Sequence, residues 1–348
     1  MSSRTGQALV IRTDGGSPPK LVKEEVSAPQ PDSHQALVRV SHTAQNPTDI
    51  ISFDNNGFGD GAILGCDFAG SVEETGSDVS CVAKGDVVAG LIWGGEIKGL
   101  GGYSDYTLAD ERICFKIPKG ISPAQASTVP LASATSWLAL FSKDCLNIDR
   151  SQGKDISILI WGGSSSVGLY AIQIAAIYGF NIITTCSPRN FDLVRSLGAH
   201  HVFDYRDEDV VKKIRAAAPH IKYVFDTIGN PTSSVTASQA IDESGGVLCT
   251  VRPGKAYTEN VTKQTRVTDV LVWTAFLKEH RYGKFYWPTH KEDHELASEL
   301  FEKLPSWLED GKIKPNTPKV LKGLDAVPAG FQEYRDGKIS AYKIVYEL

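Results

Sequence analysis

The 348-residue chain lacks the features that mark several protein classes. It has no Lys/Arg-rich run and a formal net charge of -5, so nothing favours a nucleic-acid or anionic-membrane partner. No apolar run is long enough to span a bilayer, and residues 1–10 lack the apolar core of a signal peptide. Tyr346-Glu347-Leu348 is neither a peroxisomal nor a prenylation signal. The expected location is therefore cytoplasmic, with no membrane contact. The six cysteines, Cys66, Cys81, Cys114, Cys145, Cys186 and Cys249, are scattered without a C-x-x-C pair. That spacing argues against a disulfide framework and against a clustered structural zinc site. They read as small, mostly buried apolar residues.

Helical periodicity is nearly absent through residue 125. Ala36–Val40, Ala69–Glu73 and Asp86–Gly90 are strand-like and separated by Gly, Asp and Ser, as in a small β-barrel-like domain. From about residue 127 the pattern changes. Strand candidates at 156–161, 180–186, 200–204, 221–227, 246–251 and 267–273 enclose helical stretches such as 190–197 and 207–217. Such alternation predicts a parallel sheet covered by helices on both faces. Ala297, Leu300, Phe301, Leu304 and Leu308 recur at helical spacing over 291–309, and residues 341–348 alternate like a strand able to return to the first domain. The expected division is 1–126 with 310–348 as one domain, and 127–309 as the other.

The most informative segment is 156–168. A buried strand runs into the turn Gly162-Gly163-Ser164-Ser165-Ser166-Val167-Gly168, and a helix follows to about Tyr178. The N–H groups and dipole of a helix start favour a phosphate, and small residues let the backbone approach a pyrophosphate. Gly162, Ser164, Ser165, Ser166, Val167 and Gly168 are therefore candidate cofactor contacts. After the second strand comes Ser187-Pro188-Arg189-Asn190, with no carboxylate before Asp192. A carboxylate there would select NAD; Ser187 and Arg189 suit a 2′-phosphate instead. The expected cofactor is NADP (NADPH). The loops at Gly229 and Val251, after the fourth and fifth strands, should pass it as well.

Ala44–Asp49, Leu64–Gly70, Lys84–Val88, Gly101–Tyr106 and Gly162–Gly168 together resemble the medium-chain dehydrogenase/reductase superfamily, in order and spacing along nearly the whole chain. Within it the chain is similar to the zinc-independent branch: quinone oxidoreductase-like proteins and the fungal trans-acting enoyl reductases that serve polyketide synthases. The resemblance implies an α/β fold, a GroES-like β-barrel substrate domain plus a doubly wound Rossmann cofactor domain, with the active site between them. It implies that Asn46 contacts the nicotinamide half of the cofactor and that Thr135 offers a catalytic hydroxyl near the nicotinamide ribose. It places Tyr205 beside the adenine and 2′-phosphate, and Lys343 on the cofactor side.

Zinc-dependent relatives carry a Cys early in the stretch matching Asn46–Asp49, a His-Glu pair at Cys66-Asp67, and four cysteines in the region of 91–112. This chain has none of these. A catalytic zinc needs about three protein ligands, so no metal is expected. Two further departures stand out. Ile51 occupies the position of a lysine common in relatives, and Ser165 sits where the turn commonly has Gly, its hydroxyl able to bond a phosphate. Tyr103 and Tyr106 read as sheet-surface residues, and Phe285-Tyr286-Trp287 as core or as the wall of a substrate pocket.

Without zinc there is no Lewis acid to generate an alkoxide. That counts against alcohol dehydrogenation and fits NADPH-dependent hydride delivery to an activated carbon–carbon double bond; the resemblance implies a small-molecule or carrier-protein-tethered enoyl substrate, with a polyketide synthase as the expected partner. Two alternatives stay open. One is a quinone or small-enone oxidoreductase acting on free substrates. The other is an NADP-binding protein without redox turnover, structural or serving a cyclisation, which the missing lysine at Ile51 allows.

Overall fold

The computed structural model describes residues 4–14, 18–283 and 285–348. In chain order the strands are β1 (Thr5–Arg12), β2 (Lys20–Ser27), β3 (Gln35–Ala44), β4 (Asp67–Thr75), β5 (Val87–Leu91), β6 (Tyr106–Asp110) and β7 (Cys114–Lys116). A run of βα units supplies β8 (Ser157–Trp161), β9 (Asn181–Cys186), β10 (His201–Asp204), β11 (Tyr223–Asp226), β12 (Gly246–Thr250) and β13 (Thr265–Asp269). The last four are β14 (His280–Tyr282), β15 (Phe285–Trp287), β16 (Thr317–Lys322) and β17 (Tyr342–Glu347).

The chain forms two compact units. One comprises the chain through Leu131, Trp273–His294 and Ser298–Leu348; the other comprises Ala132–Val272 and Glu295–Ala297. The expected division set all of 127–309 in the cofactor domain. Instead the segment after Val272 and most of the helix Lys291–Glu309 group with the first unit. That helix keeps its sequence-read bounds, but its apolar stripe turns Phe301 onto Phe115 of β7, with ring centroids 6.4 Å apart.

In the first unit a seven-stranded sheet runs β16-β17-β3-β4-β5-β7, with β6 also paired to β3. The C-terminal strand does return: Val345 of β17 lies opposite Ala44 of β3. One core collects Val38, Val40, Phe68, Val72 and Val88 from alternate strand positions; the other packs Ile11, Ile50, Leu64, Tyr103, Phe331 and Tyr346. Two helices of eight or more residues here have no counterpart in the sequence reading, Pro47–Asp54 and Val327–Arg335. The first is set by its start. Asn46 is extended, Pro47 takes the first helical position, and Asp49 Oδ2 accepts the Asn46 N–H at 2.8 Å. Eight or nine residues hold too few turns for a helical period to stand out.

In the second unit six parallel strands run β10-β9-β8-β11-β12-β13. Numbered within the unit, that is 3-2-1-4-5-6, the doubly wound dinucleotide-binding order. Ile158, Leu159, Ile160, Ile182, Ile183, Val224, Phe225 and Leu248 are buried, the near-continuous apolar runs of a sheet covered on both faces. The order reverses between β8 and β11, so the loops beyond their carboxyl ends flank the crevice where ligands of this fold bind. Five cysteines are buried and Cys81 is exposed, and among the described residues none is in a disulfide. Among the described residues no helix is long and apolar enough to cross a membrane.

Candidate active site

In the second unit, β8 delivers its chain into the turn Gly162–Gly168. Gly162 has φ +89°, which favours glycine. A Cβ on Gly163 would lie 2.1 Å from Thr184 Oγ1, and one on Gly168 would lie 2.3 Å from the Gly162 carbonyl oxygen. These glycines hold the helix Ser166–Ile177 tightly onto the sheet. Ser165 needs no such freedom: at φ −68°, ψ 159° it is the N-cap, and its Oγ accepts the Gly168 N–H at 2.9 Å. The same oxygen lies 2.8 Å from Thr227 Oγ1, which donates to the carbonyls of Trp161 and Gly162. The Ser165 hydroxyl proton is therefore directed at Thr227. Ser164, Ser165, Ser166 and Val167 are partly exposed there.

Neighbouring loops are tied to this turn. The N–H groups of Gly162 and Gly163 reach the Thr185 hydroxyl and carbonyl. Buried Asp226, ending β11, accepts from the N–H groups of Ile228 and Gly229 and from the hydroxyls of Ser233 and Ser234, the last two at 2.6 Å. Gly229 (φ +61°) is crossed by Arg252, whose Nε donates to its carbonyl at 2.7 Å, and the Val251 N–H reaches the Asp226 carbonyl. Thus Gly229 and Val251 share one bonded loop pair. Beyond β9, Ser187 is half-buried and Arg189 exposed; beyond β10, Tyr205 is exposed, with the Arg206 guanidinium 5.4 Å over its ring. Thr135 is buried in the helix Pro130–Phe141. Its neighbour Ser136 donates from Oγ to the Val167 carbonyl at 2.8 Å, which pins that helix to the cofactor turn. Sequence reasoning missed Ser136, Asp226 and Thr227; for the last two, position at the carboxyl end of a strand beside the switch point was the available signal.

The first unit buries a polar network around Asp67. Its Oδ2 accepts from Lys343 Nζ at 2.6 Å and Asn46 Nδ2 at 2.9 Å, and its Oδ1 accepts the Leu131 N–H at 2.7 Å. Lys343 is thus a buried ion-pair partner of Asp67, and Asn46 is oriented by the same carboxylate. Asp49 stands next to it, accepting from Tyr103 Oη at 3.0 Å and Cys66 Sγ at 3.2 Å. Burial raises the Asp49 carboxyl to about 6, against the pull of those bonds and the Asn46 N–H. Burial also pushes the Cys66 thiol and the Tyr103 hydroxyl well up. Tyr103, read as a sheet-surface residue, is fully buried, because its hydroxyl has a buried carboxylate to meet. Phe285, Tyr286 and Trp287 form β15 of a two-stranded hairpin and are exposed or half-exposed.

The donor set does not fit a zinc ion. Cys66 carries its proton toward Asp49, and both oxygens of Asp67 are taken by N–H donors, one of them an ammonium. Among the described residues no group of three His, Cys, Asp or Glu side chains could hold a metal. The second unit does fit a dinucleotide: a glycine-tightened turn, a helix start and partly exposed small residues at the switch point.

Residues 32–119 match the alcohol dehydrogenase GroES-like domain and residues 166–282 the zinc-binding dehydrogenase family. A trans-enoyl reductase of Alternaria alternata is 32% identical, covering 99% of both chains. The chain belongs to the trans-enoyl reductase family of the medium-chain dehydrogenase/reductases. The enoyl reductase component of the lovastatin nonaketide synthase of Aspergillus terreus is 30% identical over 90% of this chain and 89% of its own. In fold, this trans-enoyl reductase family member is similar to the CurK enoyl reductase, with TM-score 0.75 at 19% identity and coverage of 98% and 99%. The family binds a nicotinamide cofactor, and the second unit is its Rossmann domain.

Proposed function

We propose that this chain is a zinc-independent, NADPH-dependent oxidoreductase that saturates the carbon–carbon double bond of an enoyl thioester, acting in trans on a chain carried by a polyketide synthase in the cytoplasm. The observation that carries the reading is the bond from Ser136 Oγ to the Val167 carbonyl, which sets the Thr135 helix against the cofactor turn within one unit, in a chain alike end to end to trans-enoyl reductases. The nicotinamide, when bound, supplies a hydride. The first turn of the helix Ser166–Ile177 binds the pyrophosphate, and Ser187, Arg189 and Tyr205 hold the 2′-phosphate. Thr135 offers a hydroxyl to the oxygen charge that grows in the transition state.

Alcohol oxidation is disfavoured, because Cys66 and Asp67 are committed elsewhere and no Lewis acid holds an alkoxide. The test is NADPH oxidation against a panel of 2-enoyl thioesters, run beside NADP-dependent oxidation of simple alcohols. Reduction of the thioesters with little alcohol turnover supports the proposal; alcohol turnover without enoyl reduction contradicts it.

A further inference from the structure

His280, the first residue of β14, has no exposed side-chain surface. Its Nδ1 lies 2.6 Å from Glu96 Oε1, and the other oxygen of Glu96 pairs with Lys278. Burial pushes the Glu96 carboxyl up, but the bonds from His280 and Lys278 outweigh it and hold the carboxyl below its usual range. Glu96 is therefore an ionised, acceptor-only partner, and the proton of His280 sits on Nδ1. In the neutral imidazole Nε2 is then the lone-pair acceptor. That atom is buried, and among the described residues it has no hydrogen-bond partner.

The surroundings are aromatic. Trp93 lies 5.2 Å from the His280 ring and stacks on Trp273 at 4.7 Å and 5°. Phe276 lies 6.3 Å from the same ring. Phe58 and Tyr282 pack edge to face at 5.2 Å and both contact Trp93, and both are half-buried. A buried acceptor without a donor is destabilising and rare. Here it is held in place by a carboxylate behind it, the arrangement that fixes an imidazole's tautomer for use by its other nitrogen.

We propose that His280 Nε2 accepts a hydrogen bond from a hydroxyl on the acyl chain of the substrate, with the apolar part of that chain lying against the Trp93–Trp273 wall. The proposal rests on the enoyl-reductase reading. A fully deoxygenated chain leaves Nε2 unpaired, so the site selects partly reduced, hydroxyl-bearing chains.

The test compares 2-enoyl thioesters that carry one hydroxyl at successive chain positions with their deoxy analogues, in the full-length protein. Two variants separate the ring's two nitrogens: the amide of His280→Asn reaches Glu96 but not the Nε2 position, whereas that of His280→Gln reaches the Nε2 position. The wild type is expected to favour the hydroxylated member of one matched pair by roughly tenfold or more in KM, with little change in kcat. His280→Asn should lose that preference and His280→Gln should retain part of it. Quenching of tryptophan fluorescence by the same thioesters, without cofactor, should show the same ranking. Enoyl reduction with no hydroxyl preference at any position, or a preference that survives in His280→Asn, overturns the inference while leaving the function intact. Failure to reduce any thioester overturns the function and, with it, the occupant named here.

Discussion

Lys343 and Asp67 form a buried ion pair, 2.6 Å apart, between the last strand of the chain and the start of β4. Asn46 and the Leu131 N–H also donate to the carboxylate, so the charge is paired and most of its lone pairs are used. Removing one partner of such a pair is far more damaging than never having built it. Lys343→Met should destabilise the protein by about 3–5 kcal/mol, and adding Asp67→Asn should recover much of the loss. Urea denaturation of the three proteins checks this; a loss near zero for Lys343→Met contradicts it.

Asp49 gives a pH signature. Its carboxyl is raised by burial to about 6 from an ordinary value of 3.8, so the folded protein holds that proton more tightly than the unfolded chain. The resulting stabilisation is complete below pH 3.8 and is lost as pH rises through about 6, by about 3 kcal/mol in all. Asp49→Asn removes the titration. The stability difference between variant and wild type should therefore shift in favour of the variant between about pH 4 and about pH 8. A difference that stays flat over that window would show that the carboxyl is not raised.

For the cofactor, Arg189→Ala should weaken NADPH by about ten- to a hundredfold, the worth of a charge-assisted phosphate contact, and should leave NADH nearly unchanged. Calorimetry with both nucleotides measures it. Equal losses for the two would move the 2′-phosphate contact elsewhere, with Ser187 and Tyr205 as the next residues to vary.

Thr135→Val should lower kcat by roughly ten- to a thousandfold with little change in NADPH affinity, if its hydroxyl acts only as charge develops. Ser136→Ala acts by position. It removes the bond to the Val167 carbonyl and should lower kcat and NADPH affinity together. An unchanged rate in Thr135→Val removes the proposed role of that hydroxyl but not the reaction class.

Much of this was legible beforehand, for physical reasons that also explain the gaps. The parallel strands announced themselves because runs such as Ile158–Ile160 and Ile182–Ile183 are buried on both faces, and the turn at Gly162–Gly168 could be read because close helix–strand packing demands small residues. The helix Pro47–Asp54 was missed because a short helix is fixed by its cap, Asn46 with Asp49, rather than by periodicity. Tyr103 was misplaced because its environment is set by Asp49, 54 positions away in the chain. The pairing of Lys343 with Asp67 spans 276 positions, and no local pattern encodes it. The contact of Ser165 with Thr227, 62 positions on, emerges only once β8 and β11 lie side by side.

The most direct test of the central claim is to supply NADPH deuterated at the transferable position together with a 2-enoyl thioester, and to locate the label by mass spectrometry and NMR. The account predicts a saturated thioester with the deuterium on the β-carbon, formed by protein free of stoichiometric zinc. An unchanged double bond with the label on a carbonyl carbon, or no transfer at all to any enoyl thioester, free or carrier-bound, would contradict it.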